Sequence, residues 1–329
     1  MKQITKLLTL SATMLLASCS SASIIDVTST ATPSSQENST SAATSAEQHV
    51  DYSTLKKTFG AFSITKEDAN ADYTYDEETH TYILKVTSAA KAEFTLRGYF
   101  DGKLSIENPN GIEEGLYKGV ALNLDNACLV NHDYNVAGSI IDYTLISKNV
   151  QIKSKKGTNN KIIGSAAVAP IYSNNNIEFS GSGYLDIHSY GKDAHAVKCD
   201  GDISIYGSHI LNVTYADHDA FHGKHLYFSN EGLTPYTGRV DVKQAVSQAF
   251  DFETNKGKGS IDIEGGNIVV SNCESVFKTD ATLKIFAGAT VAATGLSKEP
   301  VVKGDNSSGI TYTCEGSFTV DGLPYTYAE

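Results

Sequence analysis

Ile171-Tyr172-Ser173-Asn174, Val197-Lys198-Cys199-Asp200, Phe221-His222-Gly223-Lys224, Phe250-Asp251-Phe252-Glu253, Phe277-Lys278-Thr279-Asp280 and Val302-Lys303-Gly304-Asp305 are six versions of one short phrase. Their leading apolar residues stand 26, 24, 29, 27 and 25 positions apart. In most copies a short alternating strand follows, as in Ile177-Glu178-Phe179, Ile203-Ser204-Ile205, Ile261-Asp262-Ile263 and Leu283-Lys284-Ile285. A second alternating run comes next: Leu185-Asp186-Ile187, Val240-Asp241-Val242, Ile268-Val269-Val270. Period-2 strands recurring at a drifting interval in the twenties, with no helical pattern, mark a stacked β-solenoid. Evenly spaced strands also suit a β-sandwich, but a sandwich gives no reason for matching tetrads to recur at one period.

One coil of two or three short strands cannot bury its apolar face alone. Stacked in parallel about 4.8 Å apart, coils superpose their inward residues into columns. Ile171, Val197, Phe221, Phe250, Phe277 and Val302 are expected to form one such column. The fold expected is all-β, a right-handed parallel β-helix of about seven coils, with a regular part about 30 Å long. The longest interval, Phe221 to Phe250, should hold a protruding loop, because Asn230-Glu231-Gly232-Leu233-Thr234-Pro235-Tyr236-Thr237-Gly238 reads as turn chemistry.

The N-terminus is a different material. Lys2 and Lys6 precede a mostly apolar stretch from Leu7 to Leu16, too short to span a bilayer. Leu16-Ala17-Ser18-Cys19 resembles the lipobox of bacterial lipoproteins, which implies cleavage before Cys19 and acylation of that residue. Residues 1–18 are then a signal peptide and 19–50 a lipid-anchored tether rich in Ser and Thr. The tether buries too little to fold, and its reach is on the order of 30 Å. Residues 51–118 are expected to form the N-terminal β cap and first coils, with strands at Thr79–Val86, Ala92–Leu96 and Gly102–Ile106. Residues 119–329 are expected to be the β-helix proper, starting at Val120–Asp125.

Loss of Lys2 and Lys6 with the leader lowers the formal charge from −12 to −14, and the only arginines are Arg97 and Arg239. Such a surface excludes nucleic acid as a partner, since phosphate contacts need clustered cations. The expected location is the cell envelope, outside the cytoplasm, with the protein monomeric and held to a bacterial membrane at Cys19. Beyond Cys19, the cysteines Cys128, Cys199, Cys273 and Cys314 show no metal-type spacing and read as buried free thiols.

The richest polar cluster is Asp193, His195, Asp217, His218, Asp219 and His222. One coil apart, His195 and Asp219 should be neighbours at one turn, with Asp193 and Asp217 at the step before. Converging carboxylates from Asp193, Asp217 and Asp219, with His195 beside them, would suit Ca²⁺. The histidines would favour a transition metal instead, and a solvated turn needs neither. Tyr172, Tyr184, Tyr190, Tyr206, Tyr215, Tyr227 and Tyr236 are candidate sugar platforms, their rings packing on apolar sugar faces while the hydroxyl stays wet. Those around the acidic turn, Tyr190 and Tyr215 with His218, His222 and Lys224, are the expected ligand contacts.

Gly181-Ser182-Gly183-Tyr184-Leu185-Asp186-Ile187, Ala216 to Lys224, and Gly265-Gly266-Asn267-Ile268-Val269-Val270 resemble a family of bacterial carbohydrate-binding proteins. Its members are secreted or surface-anchored right-handed parallel β-helices shaped like pectate lyases, and the likeness covers about residues 79–305. One characterised type binds acidic plant polysaccharide such as polygalacturonate with calcium and has no lyase activity. The resemblance therefore implies non-catalytic glycan binding. The family commonly has Asp-Gly before the leading apolar residue; here the first of those positions reads Ala169, His195, Asp219, Gln248, Ser275 and Pro300. A carboxylate groove along the whole helix is not expected. A structural or adhesive lipoprotein gripping a protein partner is the rival reading. A lyase would need Lys198, Lys224 or Arg239 as base, and a hydrolase would need converging aspartates beyond Asp217 and Asp219.

Overall fold

A computed structural model describes residues 50–87, 90–107, 119–132, 138–145, 149–229 and 234–328. They form a β-solenoid of about eight turns with parallel strands, one more than the repeat count suggested. Each regular turn carries three short strands. One turn, for example, is built from Ile171–Ser173, Ile177–Gly181 and Tyr184–Ser189. The leading strands of successive turns pair into a ten-stranded first face, and the other two strands of each turn stack into the remaining two faces.

The expected inward column exists, with one correction. The parallel register runs Ile141, Ile171, Val197, Phe221, Phe250, Phe277 and then Val301, not Val302. Val301 is buried while Val302 is half-exposed, because the amides of Val276 and Phe277 both donate to Pro300 O and set the last coil one residue earlier. Within the column Phe221 and Phe250 stack at 5.4 Å, and Phe250 and Phe277 at 5.5 Å. Offset aromatic pairs at such distances add to simple burial. Gly223 faces the same interior, where a β-carbon would stand 3.1 Å from the Phe252 ring and 3.3 Å from Cys199 Sγ.

Coiling starts before Val120. Thr81–Val86 pairs in parallel with Lys103–Glu107, and Ala92–Asp101 pairs with Val120–Val130 along its whole length. The stack is closed by antiparallel strands, Ser63–Lys66 on Ala92–Asp101 and Ala71–Asp76 on Thr81–Val86. At the other end Leu323–Pro324 folds back on Ser317–Val320. Both devices cover edges that would otherwise template further pairing. A helix, α1 (Tyr52–Phe59), also belongs to the cap and was absent from the strand-only expectation. Asp51 caps it, accepting from the Thr54 amide at 3.0 Å, and Leu55 and Phe59 pack beside Tyr99, Cys128, Val130 and Ile163.

Asn230–Leu233 of the expected loop lie outside the described residues, as do residues 1–49 with Cys19. Within the stretch expected to protrude, Tyr236 instead turns inward: it is buried and its hydroxyl donates to His209 O at 2.6 Å, so the second half of that loop packs on the core. Cys128, Cys199 and Cys273 are unpaired and buried, and burial pushes each thiol up to about 12. Cys314 is unpaired but exposed, contrary to the expectation of four buried thiols.

Candidate functional site

The turn that leads into the first face brings His195, Asp219 and Gln248 into file on three successive coils. Backbone bonds fix this: Ala196 N–H donates to Asp219 O, Val197 N–H to Ala220 O, and Ala220 N–H to Gln248 O. Asp219 is fully buried, and its Oδ1 accepts from the Gln248 amide at 2.9 Å. Its Oδ2 faces three imidazoles. His195 Nδ1 lies at 3.1 Å, His218 Nδ1 at 3.0 Å and His222 Nδ1 at 3.6 Å. His222 Nδ1 is also 3.5 Å from Asp251 Oδ2, since His222 and Asp251 are register partners on adjacent strands. None of these contacts has hydrogen-bond geometry: the three Nδ1 atoms and Asp219 Oδ2 are buried and without a hydrogen-bond partner.

The electrostatics follow from this crowding. Burial alone would raise the Asp219 carboxyl, yet its three histidine contacts hold it far below the usual carboxylate range. Burial would depress His222, but Asp219 and Asp251 outweigh it and lift the imidazole to about 9. Contact with Asp219 raises the more exposed His218. At His195 burial dominates and the imidazole is lowered.

Asp193 and Asp217 are neighbours, as expected, but their carboxylates do not converge. Asp217 Oδ2 accepts from the Asp193 backbone amide at 2.9 Å, and its Oδ1 accepts from the Tyr215 hydroxyl at 2.7 Å. The acidic partner that joins the histidines is Asp251, which the sequence reading overlooked although it occupies the tetrad position aligned with His222.

A cleft of about 340 Å³ opens against this cluster on the first face. Asp142, Tyr172, Asp193, His195 and Lys198 supply its polar lining, with Val168 and neighbouring alanines as apolar wall. Tyr172 and Lys198 are register partners, so they stand side by side. The Tyr172 hydroxyl is shared between Asn174 Oδ1 at 2.9 Å and Asp200 Oδ2 at 3.0 Å. Its ionisation is pushed up to about 12, first by burial and then by Asp200, so the phenol stays neutral and the ring is held in place. Asp142 is paired with Lys103 at 2.5 Å. Lys198 has no ion-pair partner among the described residues.

The other expected contacts lie elsewhere. Tyr190 and Tyr215 stack on each other at 5.3 Å, Tyr190 packing with the residues under α1 and Tyr215 almost wholly buried. Tyr215 therefore offers no open ring face. Lys224 is exposed just past the strand Phe221–Gly223, while Tyr184, Tyr206 and Tyr227 are half-buried away from the first face. A larger cleft of about 460 Å³ runs along a corner lined by Gly238, Gly265, Gly266 and Gly288. Its lining is rich in glycine, with Glu264 its one charged residue.

No curated protein and no solved structure matched the chain in sequence or structure searches. The model of one family, described as carbohydrate-binding domain-containing protein, matches residues 83–328, from within the first coiled strand almost to the C-terminus. A match over that much of the chain makes this protein a member of that carbohydrate-binding domain family.

Proposed function

We propose that the protein is a non-catalytic glycan receptor of the bacterial cell surface, held to a membrane through Cys19, and that the sugar sits in the cleft between Tyr172 and Lys198. The observation that carries this reading is the pairing of a fixed aromatic ring with an uncommitted cation in a cleft of ligand size. The Tyr172 ring, its hydroxyl already engaged by Asn174 and Asp200, supplies a flat apolar surface for one face of a pyranose. Lys198 donates to sugar oxygens, and to the carboxylate where the polymer is acidic. Asp193 accepts from hydroxyls at the other end of the cleft, and Asp142 is neutralised by Lys103. Binding of this kind needs no general acid or base, and the reading assigns none.

A glycan array carrying neutral polysaccharides and polyuronates tests it with the chain from Ser20 onward. Wild-type protein should bind at least one class, and Tyr172→Ala should weaken that binding tenfold or more. Lys198→Ala should weaken polyuronate binding and spare neutral glycans. Absence of any binder on the array, or full binding by Tyr172→Ala, would overturn the proposal. Incubation with pectin-type polymers should yield neither ultraviolet-absorbing unsaturated products nor new reducing ends.

A further inference from the structure

We infer that His195, His218 and Asp219 form a binding site for a divalent transition-metal ion of the zinc class. The inference stands apart from the glycan reading, although His195 also lines the cleft. His195, His218 and Asp219 offer ligand atoms that all lie within 4.8 Å of one another.

Two features separate this cluster from an ordinary polar turn. Buried polar atoms in folded proteins nearly always have a hydrogen-bond partner. Here a fully buried carboxylate oxygen stands within 3.6 Å of three imidazole nitrogens, and none of the four atoms has one. A neutral imidazole nitrogen and a carboxylate oxygen are both metal-ligand atoms. Separations provide the second feature. Zinc bonds to nitrogen and oxygen of about 2.0–2.1 Å in a tetrahedron put neighbouring ligand atoms roughly 3.3 Å apart. His195 and His218 stand 3.1 and 3.0 Å from Asp219 Oδ2.

Donor chemistry selects the metal. Imidazole suits zinc, copper, nickel and cobalt, whereas calcium takes six to eight oxygens. Both oxygens of Asp217 are already accepting, from the Asp193 amide and the Tyr215 hydroxyl. Two imidazoles with one carboxylate do not fit the calcium that the family resemblance implied, and neither Asp193 nor Asp217 joins the group. Its other parts support the smaller ion. The Gln248 amide orients Asp219 through Oδ1, as outer partners of metal-binding carboxylates do. His222, 3.6 Å from the same Oδ2 and 3.5 Å from Asp251, belongs to a second set with Asp219 and Asp251, so the remaining position of the site is left to solvent.

The test uses untagged protein stripped with chelator, with Co²⁺ and Zn²⁺ as probes and Ca²⁺ as the comparison. Zinc at a hundredfold excess over its dissociation constant should raise the melting temperature by on the order of 5 °C. Cobalt should produce visible absorption bands of a four-coordinate site, and calcium at equal concentration should move neither signal. His218→Ala removes a side chain that is 41 % exposed, so it should fold normally while binding zinc at least tenfold more weakly and losing the cobalt bands. Asp219→Asn keeps the shape and should behave alike. The inference falls if zinc and cobalt leave the wild type unmoved, if His218→Ala binds zinc as tightly as wild type, or if calcium gives the larger shift.

Discussion

Two buried aspartates, Asp186 within a strand and Asp219 in the turn leading into the first face, sit among histidines and cations one coil apart, and they are built to opposite ends. Asp186 is closed. Its Oδ2 accepts from Lys161 at 2.6 Å and faces His188 Nε2 at 2.9 Å, and its Oδ1 accepts from Asn212 and Thr214. Asp219 is open: one oxygen is held by the Gln248 amide and the other faces three imidazoles without a hydrogen bond. Both carboxyls are held well below their ordinary range. Charge compensation alone does not tell them apart. Directional satisfaction does, and an array that is charged, buried and unsatisfied is the one with something left to bind.

Substitutions can break this contrast at several strengths. The largest loss should come from neither aspartate but from the column they flank. Phe250→Ala removes a ring stacked on both Phe221 and Phe277 and should cost about 5 kcal/mol in denaturant unfolding, with no specific effect on ligand. Asp186→Ala should come next, at about 4 kcal/mol, because it strands Lys161 beside Asn212 in a half-dry network. A loss within experimental error there would mean that the closed network is ornamental.

Third in size is a pH effect that belongs to a buried histidine outside both clusters. His209 is buried against Tyr236, and burial lowers its imidazole to about 4. Its folded value lies below the ordinary 6.5, so the unfolded chain takes the proton first. Its contribution is thus complete above pH 6.5 and is lost as pH falls towards 4, by about 3 kcal/mol in all. His209→Leu should flatten that slope relative to wild type in unfolding curves at pH 7 and pH 4.5. An unchanged slope would show that His209 is solvated. The smallest effect expected on stability is Asp219→Asn in metal-free protein, about 1 kcal/mol, since the open site stores its consequence in ligation.

The tetrads made the fold legible because column residues must repeat to stack, so the six tetrads gave four of their five successive register pairs directly. Val302 failed for a local reason: Val301 and Val302 are equally apolar, and only the bonds to Pro300 O choose between them. That slip also moves Glu299 into the position assigned to Pro300 two residues before the column. Helix α1 was hidden because eight residues carry too little periodicity, though Asp51 and the Leu55–Phe59 spacing are its trace.

Half of the polar cluster was legible in the same way. Neighbouring coils forced His195 beside Asp219; the aligned second positions of two tetrads also carry the His222–Asp251 contact, which the sequence analysis did not draw from them. What sequence could not supply was direction. Asp193 and Asp217 occupy equivalent steps, yet one offers its amide to the other's carboxylate. Tyrosine exposure is equally a matter of neighbours: Tyr172 stands over a cleft, Tyr236 lies in the core and Tyr215 lies under Tyr190.

The most direct test of the account is a crystal structure of the protein with an oligosaccharide drawn from the glycan array. The account predicts a sugar ring stacked on Tyr172, with Lys198 donating to its oxygens and His195 at the edge of the cleft. Sugar bound instead along the glycine-lined corner of Gly238, Gly265 and Gly266, with the Tyr172 cleft holding only solvent, would contradict it.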